Sequence, residues 1–304
     1  MSTIRNVIKK IVPRSIKNKL TEIKQKKKSL FMDDDFIQYV INKKKGIERH
    51  GSEVEILALR GSHADYAIFT DQNQNMYNLG LTSSDLYTSF QLYEKTKVFT
   101  PNLKYVVLFY SVFTPGLCLI KTKERNRLVT YCDVFGFDYQ ENDIINRKDE
   151  KIILKKINKK TNQKCNIPEN FRGYVNPSHF TTNITPEVRV KTHIRENKRE
   201  PNQLKHLEKL SRSITSDGKK LIIVLSPNRS DYKSLLKEDR NLFTSLSNSR
   251  LKNVEIFDFY NSDLFEDSDF GDTDHLNLQG AKKLTKELSR KIELLDNQFD
   301  ESLS

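Results

Sequence analysis

The chain contains no tryptophan, three cysteines and no apolar run that approaches the roughly 20 residues a membrane span requires. Cys118, Cys132 and Cys165 are odd in number and form no CxxC pair, so neither a disulfide framework nor a zinc site is implied. A reducing, cytoplasmic setting is expected, with no metal and no other cofactor. The basic N-terminus has no apolar h-region, which excludes a secretory signal. No internal repeat occurs, and no aromatic-basic signature of an RNA-binding module, so nucleic acid is not an expected partner. The missing tryptophan excludes nothing, because 17 Phe and 12 Tyr can still build a core.

What the 304-residue chain has in excess is positive charge, 52 Lys and Arg against 40 Asp and Glu. A net charge of +12 suits an anionic partner: an acidic membrane surface or an acidic or phosphorylated substrate. A host whose proteins are rich in Lys and Asn would produce the same balance. The charge is dense in residues 1–50. There Ile4, Val7, Ile8, Ile11 and Val12 form a helical stripe, broken by Pro13 and resumed at Ile16, Leu20 and Ile23. A basic amphipathic helix of this kind lies on an anionic membrane, which points to peripheral contact through residues 1–28; docking on the rest of the protein is the alternative. The runs Lys26-Lys27-Lys28 and Lys43-Lys44-Lys45 read as part of that segment or as solvated linker.

From Gly51 onward the texture is α/β. Apolar runs at 54–60, 76–79, 105–112, 220–225 and 254–259 read as strands. Helical patterns lie between them, at about 85–95, 203–213 and 232–246, with a closing helix at 278–295. Alternating strands and helices predict a three-layer α/β/α fold around a mostly parallel sheet. The Lys- and Asn-rich stretch at about 116–200 reads as an insertion, a lid or recognition segment that carries Arg172-Gly173-Tyr174 and Pro177-Ser178-His179-Phe180. Residues 51–295 are then one domain and 296–304 a tail.

Two distant motifs carry chemistry. Gly61-Ser62 ends the first strand abruptly, where open parallel sheets place ligands. Asp272-Thr273-Asp274-His275 precedes the closing helix. A serine hydroxyl needs a base within hydrogen-bond reach and a group that orients that base. The spacing of Asp272 and His275 lets the carboxylate meet Nδ1 on one turn and leaves Nε2 for Ser62, in the order Ser…Asp…His. The backbone N–H groups of Ser62 and Gly80 are the expected oxyanion donors. His63 is expected to line the substrate or to be structural, since neighbours on a turn point apart. Asp274 reads as a helix cap or a solvated acid. Arg60 is an anion contact or a snorkelling side chain.

In these residues the chain resembles the SGNH/GDSL hydrolase superfamily. Gly61-Ser62 is similar to its nucleophile block and Asn78-Leu79-Gly80 to its glycine block. Asp272-x-x-His275, continued as Asp274-His275-Leu276-Asn277-x-x-Gly280, is similar to its last block. The likeness covers residues 51–115 and 218–295 and is strongest to DltD-like members associated with surface polysaccharides. It implies an O-acyltransferase or esterase acting on an acylated sugar or glycan precursor. One feature departs from the family. Its third block supplies an asparagine to the oxyanion, whereas this strand end reads Phe109-Tyr110-Ser111-Val112-Phe113. Ser111 or Tyr110 would have to stand in, and Tyr110, Arg229 and Arg172 are further candidates to line the substrate. The rival expectation is a catalytically degraded module that binds an acidic glycan or a membrane.

Overall fold

The computed structural model describes residues 33–71, 73–140, 145–163, 167–177, 180, 183–198, 203–236, 243–247, 249, 251 and 253–303. The N-terminal segment expected to contact a membrane, Cys165, and Ser178-His179 lie outside them.

In chain order the elements are α1 (Asp34–His50), β1 (Ile56–Leu59), α2 (Gly61–Ala67), β2 (Met76–Asn78), α3 (Leu86–Thr96), β3 (Tyr105–Tyr110), α4 (Asn126–Phe135), α5 (Arg147–Thr161), α6 (Pro186–Asn197), α7 (Leu204–Ser216), β4 (Lys220–Leu225), α8 (Ser230–Leu235), α9 (Thr244–Ser247), β5 (Val254–Asp258) and α10 (Leu278–Leu303). The strands form one sheet in the order β2-β1-β3-β4-β5, and every pairing is parallel.

Period-two alternation divides the core. Leu57, Leu59, Val106, Leu108, Leu221 and Ile223 face α1, α3, α4, α5 and α7. Their neighbours Ile56, Ala58, Val107, Phe109, Ile222 and Val224 face α2 and α10. The result is the expected three-layer α/β/α fold, its sheet wholly parallel. The strand order 2-1-3-4-5 reverses direction between β1 and β3, and the crevice at that reversal is where such sheets hold ligands.

Five expectations about the chain's organisation are corrected. The globular unit begins well before Gly51: α1 is capped by Asp33, whose carboxylate accepts from Phe36 N at 2.6 Å, and it buries Ile37, Val40, Ile41 and Ile47. Lys43 lies on the same stripe and is fully buried, so that lysine run is not solvated linker. Residues 116–200, expected as an inserted lid or recognition segment, are in part core, because α4 and α5 contribute Leu128, Val129, Tyr131, Ile153 and Ile157 to the larger cluster. A lysine-rich helix needs only one apolar stripe to dock, and α5 has it. The pattern expected as one helix at 232–246 falls in two pieces, α8 and α9. Residues 296–303 continue α10 rather than forming a tail, since no Gly or Pro interrupts them.

Candidate active site

β1 ends at Leu59, and α2 begins two residues later, so the chain turns sharply at Arg60 and Gly61, both at positive φ (86° and 57°). That turn lifts Ser62 to the first turn of α2 at the carboxyl end of the sheet. The partner loop is closed by Gly271 N donating to His275 O at 2.9 Å and by a bridge from Phe270 to Leu276. Asn277 caps α10, its side chain accepting from Gln279 N at 2.9 Å and Gly280 N at 3.1 Å. Gly280 is required there, because a Cβ would stand 2.3 Å from Asp269 O.

The two motifs meet. Ser62 Oγ lies 2.7 Å from His275 Nε2, and His275 Nδ1 lies 3.0 Å from both oxygens of Asp272. The carboxylate is fixed in turn by the backbone N–H groups of Asp274 (3.1 Å) and His275 (3.0 Å). Burial alone would push the Asp272 carboxyl up, but the hydrogen bond and charge of His275 hold it below its ordinary value. Burial opposes the His275 imidazolium, yet Asp274, then Asp272, raise its pKa above the ordinary value of 6.5. Ser62 is only half-buried and opens on a cavity of about 260 Å³. The imidazole is therefore placed to accept a proton from a reachable hydroxyl, with the carboxylate orienting it.

Around this trio lies a second layer that the motifs did not disclose. Asp274 is buried and takes the Arg189 guanidinium edge-on, at 2.7 Å and 3.3 Å. It is neither a helix cap nor solvated. His63 Nε2 lies 3.5 Å from it and His193 Nε2 3.8 Å. Burial works against that carboxylate's charge, but His275, Arg189, His193 and His63 together hold it well below the usual range. His63 packs its ring 5.1 Å from that of His275, so it shares the site with Ser62 rather than pointing away. Burial first, then the charge of His275, keep it neutral. His193 is likewise pulled down, to about 4, mainly by burial. Arg189 and His193 both sit on α6, at i and i+4, so the expected insertion reaches the cavity through this helix as well as through Leu117, Leu119 and residues 122–124. That spacing on one face was a legible signal; its match to Asp274 was not.

His63, Asp274 and His275 each place one potential ligand atom within 4.8 Å of the others. Arg189 already engages Asp274, and its positive charge opposes a divalent cation there.

Other expected site residues are not brought in. The Gly80 N–H is bonded to Asn78 Oδ1 at 3.0 Å, so it is not the oxyanion donor. Asn78 Nδ2 donates to the carbonyls of Ala64, Asp65 and Ile68, pinning α2 to β2. Glycine is needed at 80 because a Cβ would meet Asp65 N at 2.4 Å. The loop after β2 reaches the cavity later, at Ser83 and Ser84. Ser111 is occupied with Thr114, its N–H donating to Oγ1 at 2.8 Å. Tyr110 points to the opposite face of the sheet, its hydroxyl 3.1 Å from Ser245 Oγ. Arg172 pairs with Glu53 at 2.5 Å, and Arg229 with Asp231 at 2.9 Å and 2.5 Å, both away from the cavity. Arg60 does line the cavity and is 1% exposed, so it is no snorkelling side chain.

One family model, a domain of unknown function, matches residues 184–296, a stretch that holds Arg189, Asp272 and His275 but not Ser62. No curated protein matches the chain. A solved structure from Streptococcus pneumonia, described as that of a proposed platelet activating factor, aligns with 12% identity and a TM-score of 0.43 over 92% of this chain and 99% of that one.

Proposed function

We propose that this protein is a serine esterase or O-acyltransferase of the SGNH type, acting on an acylated sugar or surface-polysaccharide precursor. The observation that carries the reading is the unbroken series Ser62 Oγ, His275 and Asp272 at hydrogen-bond distances on the wall of a cavity. In this reading His275 Nε2 takes the hydroxyl proton as Ser62 Oγ attacks the acyl carbonyl. Asp272 holds the tautomer and stabilises the imidazolium. The tetrahedral intermediate collapses as His275 returns the proton to the departing alcohol oxygen, leaving an acyl-serine. An acceptor hydroxyl, of a second sugar or of water, then gives its proton to His275 and takes the acyl group, and His275 passes that proton to the departing Ser62 Oγ.

The Ser62 backbone N–H remains the oxyanion donor. The sugar substrate is what the family resemblance implies, and positive charge at the cavity rim from Lys123 and Arg195 suits an anionic glycan. A cytoplasmic location at the inner membrane face, through residues 1–28, belongs to the same proposal. Among the described residues, no helix is long and apolar enough to cross a membrane.

The engaged Gly80 amide and the absent asparagine favour one rival, a module that keeps the fold and binds the glycan without turning it over. A fluorophosphonate probe separates the two. The enzyme reading expects labelling that maps to Ser62, is lost in Ser62→Ala and is strongly reduced in His275→Ala. A folded wild-type protein that resists the probe would favour the binding module.

A further inference from the structure

Arg60, two residues before the nucleophile, carries two costs at once. Its φ of 86° is one that side chains with a Cβ rarely adopt. Its side chain is almost wholly buried, yet Nε and Nη2 make no hydrogen bond. The carboxylate that bears on it most, Asp85, is already committed. Asp85 Oδ1 accepts from Thr88 N and Thr88 Oγ1, both at 2.8 Å, and Oδ2 accepts from Leu119 N at 2.7 Å. The guanidinium lies instead over the Phe113 ring, 5.7 Å from its centre. A buried cation whose hydrogen bonds are left unmade is costly, and an apolar side chain of the same size would avoid that cost.

The identity of the two nitrogens is informative. Nε and Nη2 form one edge of the guanidinium, with two parallel N–H groups. Elsewhere in this protein that edge takes both oxygens of a carboxylate: Arg189 on Asp274, Arg229 on Asp231 and Arg290 on Glu287. In Arg60 the same edge is unmatched by the protein, on a side chain that lines the cavity holding Ser62. The other charges there are largely spoken for. Asp274 holds Arg189, Glu124 faces Arg127 and Glu196 faces Arg195.

We propose that Arg60 binds an anionic group of the substrate, a carboxylate, sulfate or phosphate carried beside the scissile ester, through its Nε–Nη2 edge. The proposal rests on the reading of Ser62 as the acyl nucleophile. A two-oxygen anion fits the edge better than the single oxygen of a tetrahedral intermediate. Because the two nitrogens are enclosed, binding requires a local shift of the cavity wall, of which Phe113 is a part. That residue is half-buried in the loop after β3 and is free of backbone ladder pairing.

Two measurements test this, one without turnover and one with it. Titration calorimetry with inorganic phosphate and with glutarate is run on wild type, Ser62→Ala, Arg60→Lys and Arg60→Met. Binding is expected in wild type and Ser62→Ala. It should be weakened about tenfold to a hundredfold in Arg60→Met and less in Arg60→Lys. No anion binding to wild type, or binding that persists in a folded Arg60→Met, overturns the site. The second measurement compares kcat/KM for a neutral ester, 4-nitrophenyl acetate, with that for an anionic one, mono-4-nitrophenyl glutarate. The anionic ester should be preferred by wild type, and Arg60→Met should erase the preference. An equal loss on both esters, with the preference intact, would assign Arg60 to the reaction oxyanion and sink the proposal. If neither ester is turned over and Ser62 resists labelling while Arg60-dependent anion binding holds, the acyl reading fails and the anion site stands.

Discussion

Helix α2 has a buried charged cluster on each side, and the two are built on opposite terms. On one side Asp65 faces Lys43 and Tyr39. The lysine ammonium donates to Asp65 Oδ1 at 2.5 Å and to Gly80 O at 2.6 Å, with Asn78 O at 3.2 Å, and the Tyr39 hydroxyl donates to Asp65 Oδ2 at 2.7 Å. Burial pulls the lysine down and pushes the carboxyl up, and each resists the other's shift. On the other side, Arg60 leaves two nitrogens unmatched and His63 leaves both ring nitrogens without a hydrogen bond. A closed network of polar groups fixes α2 against β2 and α1. An open one, on the wall of a cavity, is kept where a ligand can complete it. The same seven-residue helix is thus held rigid by one flank and presents chemistry on the other.

The comparison is broken most sharply at Ser62, the proposed nucleophile. Ser62→Ala should lower ester turnover on the order of 10⁴–10⁶-fold, and Asp272→Asn about 10⁴-fold, with far-UV circular dichroism unchanged. Steady-state kinetics on 4-nitrophenyl acetate reads this; residual activity near wild type in Ser62→Ala would remove the catalytic flank altogether. On the structural flank, Lys43→Met strands the Asp65 carboxylate and should cost about 3–5 kcal/mol in urea unfolding. Arg60→Met removes a buried cation with two unbonded nitrogens and should leave stability equal or higher by about 1–4 kcal/mol. Opposite signs for two buried cations on either side of one helix are the comparison in measurable form. Comparable destabilisation by both would show that Arg60 is scaffold as well.

A subtler test uses pH. His275 must be neutral to accept the proton, and its pKa is raised above 6.5, so kcat/KM should rise through a midpoint above that value as pH increases. The groups that face it are Asp272 and Asp274 on its own loop, His63, Asp65 and Tyr66 on α2, and Arg189 and His193 on α6. Asp274→Asn removes the largest charge that raises the pKa and leaves Arg189 uncompensated nearby. Both changes lower it, so the acid limb should move to lower pH. An unchanged profile would mean that Asp274 only anchors α6.

Much of this was legible along the chain. The buried strands announced themselves as apolar runs, and Ser62, Asp272 and His275 were identifiable because a turn and a short spacing are local facts. Lys43 was legible in part: it stands three residues after Val40 and four before Ile47, on the apolar stripe of α1, but a run of three lysines masked the phase. Gly80 was misassigned because a glycine after a strand looks the same whether its N–H faces a substrate or, as here, an asparagine side chain. Arg172 and Arg229 were misplaced because an arginine's partner, Glu53 in one case and Asp231 in the other, is not encoded by being near a motif.

The sequence by itself determined the layered α/β class, the position of each strand and the three residues of the hydrogen-bonded Ser62–His275–Asp272 series, because hydrophobic period and turn chemistry act over a few residues. Only the tertiary structure decided that α4 and α5 are core, that α6 brings Arg189 to a carboxylate 85 positions away, and that Arg60 is buried without a partner. Those outcomes depend on which distant surfaces pack together and on which polar groups that packing leaves to pair, and no local pattern carries that information.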